Sequence, residues 1–175
     1  EMLRPPVVID AVLAKRNLGT RITDAPVVIA LGPGFTAGAD CHAVVETKRG
    51  HYLGRVIYAG SAIANTGVPG DIGGYTSERI IRAPADGPFA PAARIGQLVR
   101  AGDVVARVEG EPVRALIDGV VRGMLPEGTP VTRGMKSGDI DPRGIVEYCH
   151  TISDKARAIA GGALEAVLHL RGGVL

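Results

Sequence analysis

The sequence predicts a β-rich α+β protein in which a duplicated block of short strands is flanked by an N-terminal α/β portion and closed by a C-terminal helix. Three observations carry that expectation. Asp86, Gly87, Gly96, Val99 and Gly102 recur as Asp118, Gly119, Gly128, Val131 and Gly134, each 32 residues later with no gap. Short Val-rich runs alternate with turn residues along most of the chain, which holds 25 Gly and 12 Pro, the pattern of many strands joined by tight turns. Finally, Ile152, Ala156, Ile159, Ala163 and Val167 follow helical spacing, the signature of one amphipathic helix.

Composition narrows the function classes. Apolar residues make up 46% of the 175 positions but aromatic ones only 3%, with no Trp, so the core is built from Val, Ile, Leu and Ala. A formal charge of +2 is too small to imply a nucleic-acid or membrane-surface partner, and few rings are present on which bases could stack. Sixteen of the twenty basic residues are Arg, a bias that reflects genome composition or serves phosphate and carboxylate recognition. Two cysteines do not make a disulfide framework. No apolar run approaches the roughly 18 to 20 residues needed to cross a bilayer, and no secretory leader opens the chain, so the expected location is cytoplasmic.

Taken in order, Pro5-Pro6 followed by Val7 to Lys15 reads as a first helix with Gly19 as its stop, since proline suits a first helical turn. Residues 25–31 form a continuous apolar run emptying into Gly32-Pro33-Gly34, as a buried strand does. Residues 43–47 and 52–58 read as a hairpin around Lys48-Arg49-Gly50-His51, and residues 59–77 as a long loop, a length often reserved for function. Thr151 and Asp154 stand at capping-box spacing before the C-terminal helix, whose Gly161-Gly162 pair permits close packing or a kink. The expected organisation is thus residues 1–82 as the α/β portion, 83–142 as the duplicated core, and 143–175 as a helical segment packing on that core.

A single repeat unit cannot bury its apolar face, whereas two facing units can. The run Val108-Glu109-Gly110-Glu111-Pro112-Val113, followed by Ile117-Asp118-Gly119-Val120-Val121 and Gly128-Thr129-Pro130-Val131, resembles the barrel-sandwich hybrid of lipoyl and biotinyl domains. That resemblance implies a modified lysine at the hairpin between the halves. The hairpin here is Glu109-Gly110-Glu111-Pro112, and the lysines are Lys15, Lys48, Lys136 and Lys155, so the carrier function is lost.

Other stretches look family-specific: residues 10–20, the Ala30-Leu31-Gly32-Pro33-Gly34-Phe35 run, residues 46–55, and Gly138 to Arg143 with Ile152 to Arg157. Together, over about residues 7–168, they resemble the YqeB family of accessory proteins associated with selenium-dependent molybdenum hydroxylases. The resemblance implies a maturation role, with the apo-hydroxylase as partner and a molybdopterin-type cofactor or a selenium species as ligand. Members of that family also have an upstream segment that looks nucleotide-binding and is not in this sequence, so a fragment or cleaved product is expected. The resemblance supplies no catalytic residues.

Site candidates therefore come from chemistry. Cys41-His42 and Cys149-His150 offer thiolate and imidazole to a metal, a selenium species or a transferable sulfur, or are ordinary buried residues. Gly32, Gly34, Thr36 and Gly38 follow a strand, where loop amides cradle a phosphate or merely turn the chain. His51 with Arg49 and Arg55 at the hairpin tip, and Asn65 in the long loop, are further candidates for holding an anionic cofactor. Asp139 and Asp141 suit cation binding or a turn. Three readings follow. The first is an accessory factor that binds cofactor or apo-enzyme. The second is a small-molecule enzyme with its site in residues 32–40 and 61–71, Cys41 and His51 being the catalytic candidates. The third is a scaffold without a ligand. Self-association stays open.

Overall fold

The computed structural model describes residues 4–172, so the extreme ends of the first and last expected segments lie outside the described residues. The chain is β-rich with one α-helix near its C-terminal end. It divides into two compact units, one made of the residues up to Gly67 together with those from Ile152 onward, the other of Val68–Thr151. No helix among the described residues is long and apolar enough to cross a membrane.

In the first unit, β1 (Val7–Asp10), β2 (Val27–Leu31), β3 (Thr36–Ala37), β4 (Ala43–Val45), β5 (Val56–Ile57) and β6 (Gly60–Ser61) precede the helix α1 (Asp154–Leu170). The main sheet has the order β1-β2-β4-β5, with β1, β2 and β4 parallel and β5 antiparallel; β3 and β6 form a separate ribbon. Strand β2 is buried on both faces, as strands of parallel sheets are. Its Val27 and Ile29 pack with Ala43 and Val45 against Ile159, Ala163 and Ala166 of α1, while Val28 and Ala30 pack with Val44, Phe35, Cys41 and Ala62 on the other side.

Expectations for both ends of the chain are corrected here. The run from Val7 is a strand, not a helix, because Val7-Val8-Ile9 are β-branched residues that pair in register with Val27-Val28-Ile29 and favour extended backbone. Beyond it the chain cannot continue as a helix, since Leu13 and Lys15 take φ of 58° and 64°. The C-terminal helix belongs to the first unit and covers its main sheet through contacts with β2, β4 and β5. Its cap is Ser153, whose Oγ accepts the Ala156 N–H at 3.2 Å, not the Thr151/Asp154 pair; Thr151 instead donates to the Glu147 carbonyl. The glycine pair serves close packing, because a Cβ on Gly162 would strike the Gly54 carbonyl oxygen, whereas one on Gly161 would meet nothing within 4 Å.

The second unit holds β7 (Ile80–Arg82), β8 (Gly87–Pro91), β9 (Leu98–Val99), β10 (Val104–Val108), β11 (Glu111–Arg114), β12 (Gly119–Met124), β13 (Pro130–Val131) and β14 (Lys136–Asp141). They make two four-stranded sheets, β11-β10-β8-β13 and β7-β14-β12-β9. Adding 32 to the positions of the first four strands gives the last four, and the same shift turns one sheet order into the other. Each sheet therefore mixes strands from both halves.

The hydrogen bonds repeat at the same offset. The Gly96 N–H donates to the Val121 carbonyl and Gly128 N–H to that of Phe89, both at 2.8 Å; Gly102 and Gly134 donate to Ala115 and Ala83, also at 2.8 Å. Gly96 and Gly128 take φ of 89° and 77°, left-handed turns open to glycine at little cost. Asp86 accepts the Arg133 N–H at 2.6 Å, and Asp118 accepts that of Ala101 at 2.8 Å. All eight strands feed one core around Phe89, including Ile81, Val99, Val105, Val113, Val121, Val131 and Ile140.

This unit starts earlier than the expected residue 83. Strand β7 is the counterpart of β11, and the side chains of Arg82 and Arg114 donate equivalently to the Gly134 and Gly102 carbonyls at 2.8 Å. The hairpin between the halves turns at Glu109 and Gly110, with φ of 48° and 83°, and joins Val108 to Glu111.

Substituting Gly162 with Val is expected to cost about 2 to 3 kcal/mol by overpacking, whereas Gly161→Ala should stabilise α1 by about 0.5 to 1 kcal/mol; urea unfolding of both variants separates close packing from a simple weak point. Asp118→Ala should lose about 1.5 to 3 kcal/mol, the range for a hydrogen bond to a charged group, and Asp86→Ala a similar amount, measured the same way.

Candidate functional site

The glycine-bearing turn after β2 does not form an open anion nest. Its amides are used by the chain itself: Gly32 N–H donates to the Val45 carbonyl, Gly38 to Cys41, and Ala39 and Asp40 to Thr36, at 2.8 to 3.1 Å. The Thr36 N–H donates to the Asp40 carboxylate at 2.8 Å, placing a negative charge where an anion would sit. The glycines serve close approach. A Cβ on Gly34 would lie 2.5 Å from the Arg16 Cα, and one on Gly32 would lie 2.7 Å from the Thr47 Oγ1, so the loop after β1, the turn after β2 and the end of β4 are packed together.

The proposed metal ligands fall in two units. Cys41-His42 belongs to the first unit and Cys149-His150 to the second. Cys41 is sealed in the core, and burial first, then the nearby Asp40 charge, pushes its thiol from 9.0 up to about 11, so it is held as the unreactive thiol. His42 uses Nδ1 to accept the Val28 N–H at 3.0 Å while its own N–H donates to the Val28 carbonyl, extending the β2–β4 ladder by one step. The Cys149 Sγ faces the Val121 carbonyl at 3.6 Å, and His150 is exposed. Among the described residues no group of three or more His, Cys, Asp or Glu side chains converges as a metal site.

At the hairpin tip, Arg49 forms a two-pronged ion pair with Asp154 at 2.8 and 3.1 Å. Arg55 lies over the Tyr52 ring and His51 meets the same ring edge-on, and His51 and Tyr52 are exposed. Asn65 accepts the Gly67 N–H in a local turn at 3.3 Å. The paired aspartates are ion-paired too. Asp139 faces buried Arg79, and fully buried Asp141 is bound by Arg143 at 2.6 Å and Arg122 at 3.1 Å, with Arg143 holding its carboxyl below the usual range. These aspartates pin the end of β14.

What the fold does bring together is at the carboxyl ends of the parallel strands, where open α/β sheets place ligands. Glu46, following β4, is 2% exposed; its carboxylate accepts the N–H groups of Thr47, Lys48 and Ile63 at 2.7 to 2.8 Å. Lys155 from the first turn of α1 lies within electrostatic reach of Glu46, of Lys15 from the loop after β1 and of Arg49, the last of which is paired with Asp154. Burial, then the charges of Lys15 and Arg49, lower the pKa of Lys155, while Glu46 opposes the shift. Lys15 is placed by a left-handed backbone of φ 64°, a strained geometry that persists where its surroundings impose it. Sequence reading passed over Lys15 and Lys155 because they are 140 positions apart. The available signal was that lysine is rare in this Arg-rich chain.

With both thiols present, Ellman's reagent at pH 8 should label one of the two cysteines in native protein and both after denaturation. The raised Cys41 pKa also has a signed consequence. Above pH 9 the unfolded chain releases this proton while the folded chain keeps it, so folding stability should fall by about 2 to 3 kcal/mol between pH 9 and 11. The fall should be absent in Cys41→Ala, as followed by urea titrations across that range.

No family model matches the chain. It is 57% identical over 168 residues to a protein of Escherichia coli (strain K12) described as "Uncharacterized protein YqeB", a match covering 96% of this chain and 31% of that protein. The chain thus spans about a third of that relative's length. Among solved structures, it is similar in part to succinylglutamate desuccinylase/aspartoacylase from Rhodobacter sphaeroides, with a TM-score of 0.32 and 24% identity over 49% of this chain and 30% of that one. An aspartoacylase family protein from Mesorhizobium loti gives a TM-score of 0.32 and 20% identity over 37% of this chain and 23% of that one. These partial superpositions bear on neither fold nor chemistry. Across 96% of its length the chain is a homologue of one segment of the E. coli protein YqeB.

Proposed function

We propose that this chain is a non-catalytic accessory module for a selenium-dependent molybdenum hydroxylase, binding an anionic cofactor species of the molybdopterin type or the apo-enzyme itself. The observation that carries the binding half of this reading is the group of Lys15, Arg49 and Lys155 at the carboxyl ends of the parallel strands. Lys155 is half-buried while Lys15 and Arg49 are exposed, and Arg49 is paired with Asp154; the repulsion that remains is between Lys15 and Lys155, and an anion between them relieves it. A phosphate-bearing ligand suits this donor set, whereas the described cysteines and histidines supply no donor set for a metal centre. The molybdenum and selenium assignment rests on the motif resemblance to the YqeB family.

In the same reading the second unit is a barrel-sandwich hybrid of the lipoyl/biotinyl kind that has become a platform. Its 32-residue strand exchange supports this, and the Glu109-Gly110 tip offers no lysine for a swinging arm. The competing enzyme reading is less well supported, because the Cys41 thiol is buried and its pKa raised to about 11.

The test is calorimetric titration with inorganic pyrophosphate and with molybdopterin guanine dinucleotide. Wild-type protein should bind, and Lys155→Ala or Lys15→Ala should each weaken binding about tenfold, a loss of about 1.4 kcal/mol. Affinity should also fall with salt and with rising pH, beginning below the ordinary lysine range. Equal affinity in wild type and both variants would remove the site from the reading.

A further inference from the structure

Asp154 opens α1 directly before Lys155, and its two carboxylate oxygens accept from the two terminal nitrogens of Arg49 at 2.8 and 3.1 Å. A guanidinium fork grips a phosphate in the same two-pronged way as it grips a carboxylate. Arg49 is therefore shaped for an anion and holds one that the chain itself supplies, next in sequence to a lysine of the anion site.

Two carboxylates stand against the cations Lys15, Arg49 and Lys155, and they differ in what else they do. Glu46 is buried and committed to the N–H groups of Thr47, Lys48 and Ile63. It is part of the backbone's own bonding and does not leave. The Asp154 side chain is 74% exposed, and α1 does not need it as a cap, because the Ser153 Oγ accepts the Ala156 N–H. An exposed ion pair of this kind adds little to stability. The ammonium groups of Lys15 and Lys155 enter no ion pair among the described residues. Of the two carboxylates, Asp154 is thus the one that moves aside at small cost, and its departure turns a third cation toward a ligand.

We propose that Asp154 is an internal competitor for the anion site, its carboxylate holding the Arg49 fork until a phosphate group seated against Lys15 and Lys155 displaces it. The inference rests on the anion-site reading and deepens it by assigning its regulation. Affinity is held down by a carboxylate of the same chain, so the site discriminates against weakly charged ligands and releases what it binds.

The test is calorimetric titration of the whole chain with inorganic pyrophosphate in a double-mutant cycle. Asp154→Asn keeps the size of the side chain and removes its charge. It should bind pyrophosphate about fivefold more tightly than wild type, the range set by the strength of an exposed ion pair. In the Arg49→Gln background the same change should gain less than twofold, since no fork is left to release. In wild type, the carboxyl carbon resonance of Asp154, identified by its loss in Asp154→Asn, should shift as pyrophosphate is added. No gain in Asp154→Asn, an equal gain with and without Arg49, or an unmoved Asp154 resonance at saturation would each overturn the proposal. The first outcome would leave the pair as a tie between the hairpin tip and α1, and the second would leave Asp154 as a bare charge near the site. Binding that depends on Lys15 and Lys155 but not on Asp154 removes the competitor alone, whereas wild-type protein that fails to bind pyrophosphate removes the anion site and the competitor together.

Discussion

The Asp-Gly turns of the duplicated unit are joined crosswise, Asp86 holding the Arg133 N–H and Asp118 the Ala101 N–H. Each carboxylate sits in one half and caps a turn of the other, so neither half completes its own backbone hydrogen bonding. Burial follows the same rule: the Phe89 ring from the first half is packed among Val121, Val131 and Ile140 from the second. A half-unit alone would expose one apolar face of a few short strands, too little for independent stability. Strand exchange between sheets is the arrangement that satisfies the amides and the apolar faces of both halves together.

That dependence explains why the repeat was legible in sequence and where legibility stopped. Turn positions that need a left-handed residue or a capping carboxylate tolerate few side chains, so the Asp-Gly, Gly96 and Gly102 positions kept their identity in both copies. Strand positions require only an apolar side chain of suitable size, so Ile80-Ile81 and Pro112-Val113 no longer look alike, and β7 fell outside the expected boundary. The shared Arg82-Ala83 and Arg114-Ala115 pairs were the remaining trace. In the first unit the run from Val7 satisfied a helical spacing by accident. β-branching and a parallel neighbour at Val27 decided otherwise, and the neighbour is a tertiary fact that spacing does not contain.

The candidate site divides the same way. Gly32 and Gly34 stand out in sequence because glycine after a strand is a familiar sign of phosphate binding, yet the same residue is required wherever two backbones touch. Here Thr47 and the Arg16 backbone are what crowd those positions. The cysteines stood out because their chemistry is unusual, and the fold buries one and points the other at a carbonyl oxygen. Lys15 and Lys155 had neither motif nor neighbour to mark them. The charge of Lys15 reaches Lys155 because the loop after β1 and the start of α1 both lie at the carboxyl ends of the parallel strands, a consequence of topology alone.

Duplication also relaxes what each copy must do. The two edges share their strand pairing but not their surroundings, because residues 142–150, which leave the sheet after β14, line the surface beside β9, whereas the other half turns back at once in the β10–β11 hairpin. At the position equivalent to Leu98 the chain carries Pro130 opposite Pro88, so the strand pairing forms there without a backbone N–H. The matching pair Glu109 and Asp141 makes the converse point. One is exposed at a hairpin turn, while the other is buried and ion-paired to Arg122 and Arg143, because the chain reverses directly at the first and leaves the sheet at the second. Where topology differs between the halves, the residues differ for structural reasons, and Leu98 and Ile95, beside Gly144 and Val146 of the segment that leaves β14, follow the same rule.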